Sequence, residues 1–102
     1  MIEFKIERKE NHNVLEFNLP SSGVITPEDL QHLDPPDLIK EDLTSKAIVL
    51  SGRGPIWLYG CLVHYCHPCK AVAIFDPRLD AGVVIESHSK EYNVGDLINI
   101  KE

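Results

Sequence analysis

With 102 residues, the chain has room for one domain, which we take to span residues 1–102. Its net charge of −6 argues against a broad surface for duplex DNA, because nonspecific DNA affinity depends on neutralising many phosphates. The opening Met1–Lys5 lacks the apolar core of a signal peptide and no apolar run reaches about 18 residues, so we expect a cytoplasmic protein that does not contact membranes.

The first two predicted elements are strands. Residues 2–7 alternate apolar and polar side chains, the period of a half-buried strand, and Val14–Leu19 continues as a second strand. We expect the two to pair as an antiparallel hairpin, with Asn11-His12-Asn13 as the turn between them.

A helix is predicted next, and it should be short. Thr26 suits the cap position before a helix, Pro27 suits the first helical position, and two acids follow in the first turn. The helix should end before Asp34-Pro35-Pro36, because a residue that precedes proline avoids helical angles. Asp37–Lys46 is expected to be an irregular connection.

The centre of the chain is more apolar. Ala47–Leu50 is a continuous apolar run, typical of a strand covered on both faces. Ile56–Tyr65 is apolar on nearly every side, which predicts a helix buried all round, and Ala71–Phe75 predicts a second buried strand. Strand, helix and strand within this length predict a βαβ unit with two parallel strands.

Two further strands are expected at Val83–Ile85 and Leu97–Ile100. The fold class that follows is α/β: a small single domain with a mixed sheet and about two helices. A chain of this size buries a modest share of its surface, so we also expect it to oligomerise.

The loop Ser51-Gly52-Arg53-Gly54 is a candidate anion site. It lies between a buried strand and a helix start, where glycines let backbone N–H groups approach a phosphate, and Arg53 adds a forked donor. The alternative is a tight connection with a solvated arginine. Ligands of βαβ folds bind outside the carboxyl ends of the strands, which favours the functional interpretation.

Asp76-Pro77-Arg78 follows the next strand and should therefore emerge at the same edge of the sheet. Asp76 could hold a divalent cation or orient a water, and Arg78 could neutralise a phosphate. The alternative is a turn with a local ion pair.

Histidines and cysteines cluster at the end of the predicted helix. His64 and His67 lie three residues apart, and His88 lies in Ser87-His88-Ser89; each can act as an acid or base near neutral pH. Cys66 and Cys69 suggest zinc, but no second ligand pair stands at the usual distance, so we do not favour a zinc site. A surface histidine is the simpler interpretation of His88.

Helix length separates two of these groups. The segment from Gly54 to His67 is about 20 Å long as a helix, so His67 should lie at the edge opposite to Asp76. One protomer could not then bring both side chains to one phosphate, and subunits would have to stack with unlike edges facing.

Four motifs follow one another in a specific order. They are Ser51-Gly52-Arg53-Gly54-Pro55-Ile56-Trp57-Leu58, Leu62-Val63-His64, Ala71-Val72-Ala73-Ile74-Phe75-Asp76-Pro77-Arg78-Leu79 and Ser87-His88-Ser89. The series resembles the CRISPR-associated Csx3 family, whose members are described as manganese-dependent deadenylating exoribonucleases and as ring nucleases. The N-terminal half matches only in pattern, and Asp80 stands where we expect a glycine-rich turn without an extra acid.

The resemblance implies a CRISPR-associated Rossmann-like fold, a homodimer, and cyclic tetra-adenylate bound between two dimers that stack into a tetramer. It also implies Mn²⁺ as cofactor, with His67 and Asp76 as the catalytic pair from opposing dimers and Asp76 as metal ligand. His64 shares or replaces the role of His67 under this resemblance. The predicted ligand-binding residues are Ser51, Gly52, Arg53, Gly54, Arg78 and His88.

The predicted reaction is linearisation of cyclic tetra-adenylate into shorter adenylates, which would switch off a type III CRISPR response. Two alternatives stay open. One is a 3′-deadenylase on linear RNA that uses the same residues, and the other is a non-catalytic module that binds cyclic adenylate.

Overall fold

Six strands form one mixed sheet, and their order across the sheet is their order along the chain. The computed structural model describes residues 1–101. Its strands are β1 (Glu3–Arg8), β2 (His12–Asn18), β3 (Ala47–Ser51), β4 (Ala71–Asp76), β5 (Ala81–Ser87) and β6 (Leu97–Ile98). A 3₁₀ helix (Pro27–His32) and one α-helix, α1 (Ile56–Tyr65), complete the regular structure. Neither helix is long and apolar enough to cross a membrane.

Strand pairing confirms the hairpin and the βαβ unit. β1 and β2 are antiparallel, while β2, β3 and β4 are neighbours that run parallel. β5 is antiparallel to β4, and β6 is antiparallel to β5, so the sheet is mixed. The predicted α/β class with a mixed sheet and two helices is confirmed.

β3 is covered on both faces, as its apolar run predicts. Ile48 and Leu50 point into a large cluster that includes Leu58 and Leu62 of α1. The alternate positions of the strand belong to a second cluster of smaller side chains that β5 and β6 help to close. Because strand side chains alternate, one apolar run serves both clusters.

The Rossmann-like part of the predicted fold is not confirmed. A doubly wound Rossmann sheet carries helices on both faces. Here the connection before β3 supplies Leu38 and Leu43 to the same cluster that Leu58 and Leu62 of α1 enter. Both parallel connections therefore pack on one face, and the Rossmann-like relationship stays a prediction.

Helix α1 has the predicted bounds but not the predicted burial. Leu58 and Leu62 are its two fully buried residues, whereas Ile56 is 88% exposed and His64 is also exposed. The prediction that the helix is buried all round is wrong. The reason is that α1 rests on one sheet face and nothing else in residues 1–101 covers its outer side.

The predicted turn at Asn11-His12-Asn13 is placed too late in the chain. β2 already begins at His12, and Asn13 pairs with Arg8, so the link between the strands is Lys9–Asn11. The Lys9 N–H donates to the carbonyl of His12 at 2.9 Å and closes the link. The polar side chains of His12 and Asn13 suggested a turn, but both residues are buried in the sheet.

The capped helix start at Thr26 is confirmed. The Thr26 N–H donates to the Asp29 carboxylate at 2.6 Å, and the helix begins at Pro27. It ends at His32, before Asp34-Pro35-Pro36 as predicted, and it is a 3₁₀ helix. Such short helices are common in connections.

Truncating Leu62 should destabilise the protein far more than truncating Ile56, since only Leu62 is buried. We expect Leu62→Ala to lower the free energy of unfolding by about 2–5 kcal/mol, and Ile56→Ala to change it by less than about 0.5 kcal/mol. Urea denaturation of both variants measures the difference. Equal losses would contradict the one-sided burial of α1.

His12 should make stability depend on pH. Burial lowers the pKa of His12, and its Nε2 has no hydrogen-bond partner among residues 1–101. The folded state therefore favours neutral His12, and stability falls as pH drops below the ordinary histidine pKa of about 6.5. Denaturation from pH 7.5 to about 5 should show a shallower fall for His12→Leu than for the wild type. The matched control His32→Leu, at an exposed histidine, should keep the wild-type slope.

Candidate functional site

Two predicted site segments meet at the carboxyl edge of the parallel strands. Ser51–Gly54 begins at the last residue of β3 and Asp76–Arg78 begins at the last residue of β4. Leu50 and Ile74, just before the two segments, are directly paired. An open cleft of ≈ 630 Å³ lies between the segments, and Tyr59 of α1 forms part of its wall. The sequence prediction of one shared edge is confirmed.

The glycines of the loop have a packing role. Gly52 has φ +147°, and a Cβ there would lie 2.6 Å from the Phe17 carbonyl oxygen. A Cβ at Gly54 would lie 2.9 Å from the Phe17 ring. The hydroxyl of Tyr59 donates to the carbonyl of Gly52, and burial raises the pKa of Tyr59, which keeps this donor protonated. Packing against Phe17 thus requires both glycines whether or not a ligand binds.

Arg53 is the exposed basic group of this loop. It lines the ≈ 630 Å³ cleft and also a second cleft of ≈ 320 Å³ on the β2 side, next to Glu16 and Phe17. A guanidinium that reaches two clefts can meet a phosphate in either.

Asp76 is held by its neighbour Arg78. The Arg78 backbone N–H donates to Oδ1 of Asp76 at 2.8 Å, and the guanidinium lies 3.3 Å from Oδ2. These two donors lower the pKa of Asp76, so the carboxylate is ionised at neutral pH. The Arg78 side chain is 90% exposed and stays accessible to an anion.

Three side chains converge at the opposite edge of the sheet. His67 Nδ1 lies 2.8 Å from Glu86 Oε1, and His88 Nε2 lies 3.5 Å from the same oxygen. The two imidazoles meet edge to face with ring centres 4.6 Å apart. One possible ligand atom from each side chain lies within 4.8 Å of the others. We call His67, Glu86 and His88 the His–Glu–His group.

Local structure positions each member of the His–Glu–His group. His67 lies in the turn after α1, where its N–H donates to the carbonyl of His64 at 3.2 Å. Glu86 lies on β5 opposite Val72, next to an irregularity in the β4–β5 pairing. The His88 N–H donates to the carbonyl of Lys70 at 2.9 Å, which ties the end of β5 to the start of β4.

The donor set of the His–Glu–His group fits a divalent cation. Two imidazoles and one carboxylate are ligands used by catalytic sites that keep positions open for water or substrate. Without a cation, the Glu86 carboxylate only accepts hydrogen bonds, so Nδ1 of His67 is the donor. Nε2 of neutral His67 then carries the lone pair.

His67 and Asp76 lie at opposite ends of β4. Glu86, the partner of His67, pairs with Val72, while Asp76 is the last residue of the strand. With about 3.3 Å per strand residue, the two levels are roughly 13 Å apart. This arrangement agrees with the placement at opposite edges expected from helix length, at a shorter separation.

Residues 19–99, which include both edges just described, match the sequence profile of a family described as CRISPR-associated protein (Cas_csx3). The chain belongs to the Csx3 family. It is also 48% identical over 89 residues to a protein of Aquifex aeolicus (strain VF5) that carries the name "Uncharacterized protein". That match covers 87% of this chain and 78% of the Aquifex protein.

Sequence reasoning missed Glu86. The predicted strand ended at Ile85, whereas β5 runs to Ser87 and carries Glu86 within it. Residues two apart in a strand share a face. A predicted strand that continued past Ile85 would therefore have placed Glu86 and His88 on one face of the sheet. Glu86, which hydrogen-bonds to His67, was therefore missed because the predicted strand ended one residue before it.

His64 is not part of the His–Glu–His group, although it is one helical turn before His67. Cys66 and Cys69 are fully buried, the Cys69 N–H donates to the Cys66 carbonyl at 2.9 Å, and neither thiol joins the possible metal ligands found in residues 1–101. The contact with Cys69 together with burial raises the pKa of Cys66. The roles predicted for His64, Asp76 and His88 toward substrate or metal stay predictions.

Asp80, which departs from the turn expected for the Csx3 family, lies at a left-handed position with φ +51°. Aspartate tolerates this conformation better than most residues. Its carboxylate lies 3.5 Å from Lys101 Nζ and not in the group of possible metal ligands. Asp80 thus serves the turn between β4 and β5.

Mn²⁺ binding should depend on Glu86 rather than on Asp76 in an isolated chain. We expect Glu86→Gln to weaken Mn²⁺ binding by at least about tenfold, since it removes one charged ligand atom. Asp76→Asn is the matched control and should bind like the wild type. Electron paramagnetic resonance of free Mn²⁺ measures both. A loss confined to Asp76→Asn would place the ion at the other edge, and equal losses would contradict the His–Glu–His group as the cation site.

Proposed function

We propose that this Csx3-family protein cleaves phosphodiester bonds of short adenylate RNA, with cyclic tetra-adenylate as its preferred substrate and Mn²⁺ as its cofactor. The observation that carries the proposal is the convergence of His67, Glu86 and His88 on one point. Family membership over residues 19–99 supplies the CRISPR context.

Glu86 and His88 would hold the cation beside His67, and the cation would supply positive charge to stabilise the charge that develops on the scissile phosphate. His67, left off the cation, would have a separate use that follows from its hydrogen bond. With Nδ1 donating to Glu86, its Nε2 can accept a proton from the attacking hydroxyl and return it to the leaving oxygen. Glu86 fixes the ring and its tautomer for this transfer.

The carboxyl edge would bind the phosphates of the ring. Arg53 and Arg78 are both exposed there and supply forked donors, while the ≈ 630 Å³ cleft offers Tyr59 and Phe75 as apolar walls. When Arg78 turns to a phosphate, the Asp76 carboxylate loses its hydrogen bonds to the guanidinium. Asp76 is then free to act on the bond or on the cation.

The two edges would complete each other between molecules. Because His67 and Asp76 lie at opposite ends of β4, a site that uses both needs one edge from each of two stacked protomers. We include in the proposal a homodimer that stacks into a tetramer on the ligand, in the cytoplasm, ending a type III CRISPR response. A small chain with Ile56 and Leu97 strongly exposed gains buried area by such assembly.

Removing either His67 or Asp76, the two halves of the site shared between protomers, should abolish cleavage. We expect His67→Ala and Asp76→Ala each to lose at least about 100-fold in rate on cyclic tetra-adenylate with Mn²⁺, the scale of acid–base catalysis. Mixing the two inactive proteins should restore activity, because a stack can then combine His67 of one with Asp76 of the other. Chromatography of the products measures both effects.

The matched control is His64→Ala, which we expect to stay active because His64 lies outside the His–Glu–His group. If activity does not recover in the mixture of the His67→Ala and Asp76→Ala proteins, a site shared between protomers is rejected. Cleavage of linear oligoadenylate but not of the ring would favour the 3′-deadenylase. Tight binding without any cleavage would favour the non-catalytic module.

A further inference from the structure

An open cleft of ≈ 450 Å³ lies at the same edge as the His–Glu–His group and has no role in the function proposed above. Two lysines line it, Lys46 just before β3 and Lys70 just before β4. Tyr92, Asn11, Ser45 and two glutamates, Glu10 and Glu91, form the rest of its wall. The parallel direction of β3 and β4 places both lysines at one end of the sheet.

Lys70 links this cleft to the His–Glu–His group. Its carbonyl accepts the hydrogen bond from the His88 N–H at 2.9 Å, so the lysine and the histidine lie on adjacent backbone. Its ammonium lies 2.8 Å from Glu91 Oε1. Lys70 is therefore the lysine of the cleft whose backbone is bonded directly to the backbone of His88.

Both ammonium groups can take a further partner. Lys46 Nζ donates one hydrogen bond to the Lys9 carbonyl at 2.9 Å, which leaves two of its three N–H donors. Lys70 pairs with Glu91, whose side chain is 66% exposed, and such exposed pairs contribute little to stability. A phosphate oxygen can replace the Glu91 carboxylate at Lys70.

We infer that Lys46 and Lys70 form a phosphate-binding subsite for single-stranded RNA that continues from the His–Glu–His group, with Tyr92 as a surface on which a base stacks. The inference rests on the proposed function for its substrate class. Lysines that follow a backbone and an aromatic ring beside them are the usual elements of single-strand recognition. Glu91 occupies the subsite when no RNA is bound and competes with the phosphate.

Because the Glu91 carboxylate competes with phosphate for Lys70, variants of these two residues should change the Kd for RNA in opposite directions. Fluorescence anisotropy with labelled linear tetra-adenylate, in EDTA so that nothing is cleaved, measures the Kd over a series of NaCl concentrations. We expect Lys70→Gln to raise the Kd about threefold and to make the salt dependence shallower by about 0.7 in log–log slope, as for one lost phosphate contact. Glu91→Gln should lower the Kd, since it removes the competing carboxylate.

Matched controls lie on β1, at the far side of the sheet. Lys5→Gln and Glu3→Gln make the same charge changes at exposed positions and should leave the Kd unchanged. Equal effects of Lys5→Gln and Lys70→Gln would overturn the subsite, because the lysine would then act only through net charge. Absence of binding by the wild type would overturn it as well.

A parallel cleavage assay of the wild type with Mn²⁺ separates the two proposals. Cleavage together with unchanged Kd values in Lys70→Gln and Glu91→Gln rejects the subsite and keeps the nuclease. The expected Kd pattern without cleavage keeps the subsite and rejects the nuclease. Circular dichroism of each variant confirms that the fold is intact.

Discussion

The burial of β3 on both faces is the constraint on which the rest of the structure depends. Ala47–Leu50 is fully buried, with Ile48 and Leu50 under α1 and the smaller side chains under β5 and β6. A strand in this position can carry no polar chemistry within its length. Functional side chains are therefore confined to its two ends, Lys46 on one side and Ser51–Gly54 on the other.

Parallel pairing extends that division to the whole sheet. Since β2, β3 and β4 share one direction, their carboxyl ends collect Arg53 and Asp76 at one edge and their amino ends collect Lys70 and the turn that holds His67 at the other. The carboxyl edge presents guanidinium groups, and the amino edge presents imidazoles with a carboxylate. Two chemically different surfaces thus face away from each other on one small domain.

The sequence predicted most of the framework because strong local signals determine it. The bounds of α1 follow from Pro55 and the apolar run after it, and β3 follows from four consecutive apolar residues. His12 and Glu86 were misjudged for one shared reason. Each is a polar residue within a strand, and pairing with Ala47 or Val72 overrides the local preference for a turn or an end. Contacts between distant segments cannot be read from neighbouring residues.

The match between strand order and chain order has a consequence for how the chain folds. Every strand pairs with its neighbour in the chain, but the parallel pairs β2–β3 and β3–β4 must first close long connections, and such pairings form slowly. The connection of residues 19–46, before β3, is the longer of the two and carries the larger closure entropy. His67, Glu86 and His88 all lie beyond that connection, on the turn after α1 and on or just after β5. The group therefore needs α1, β4 and β5 to meet, and it takes no side chain from the N-terminal hairpin.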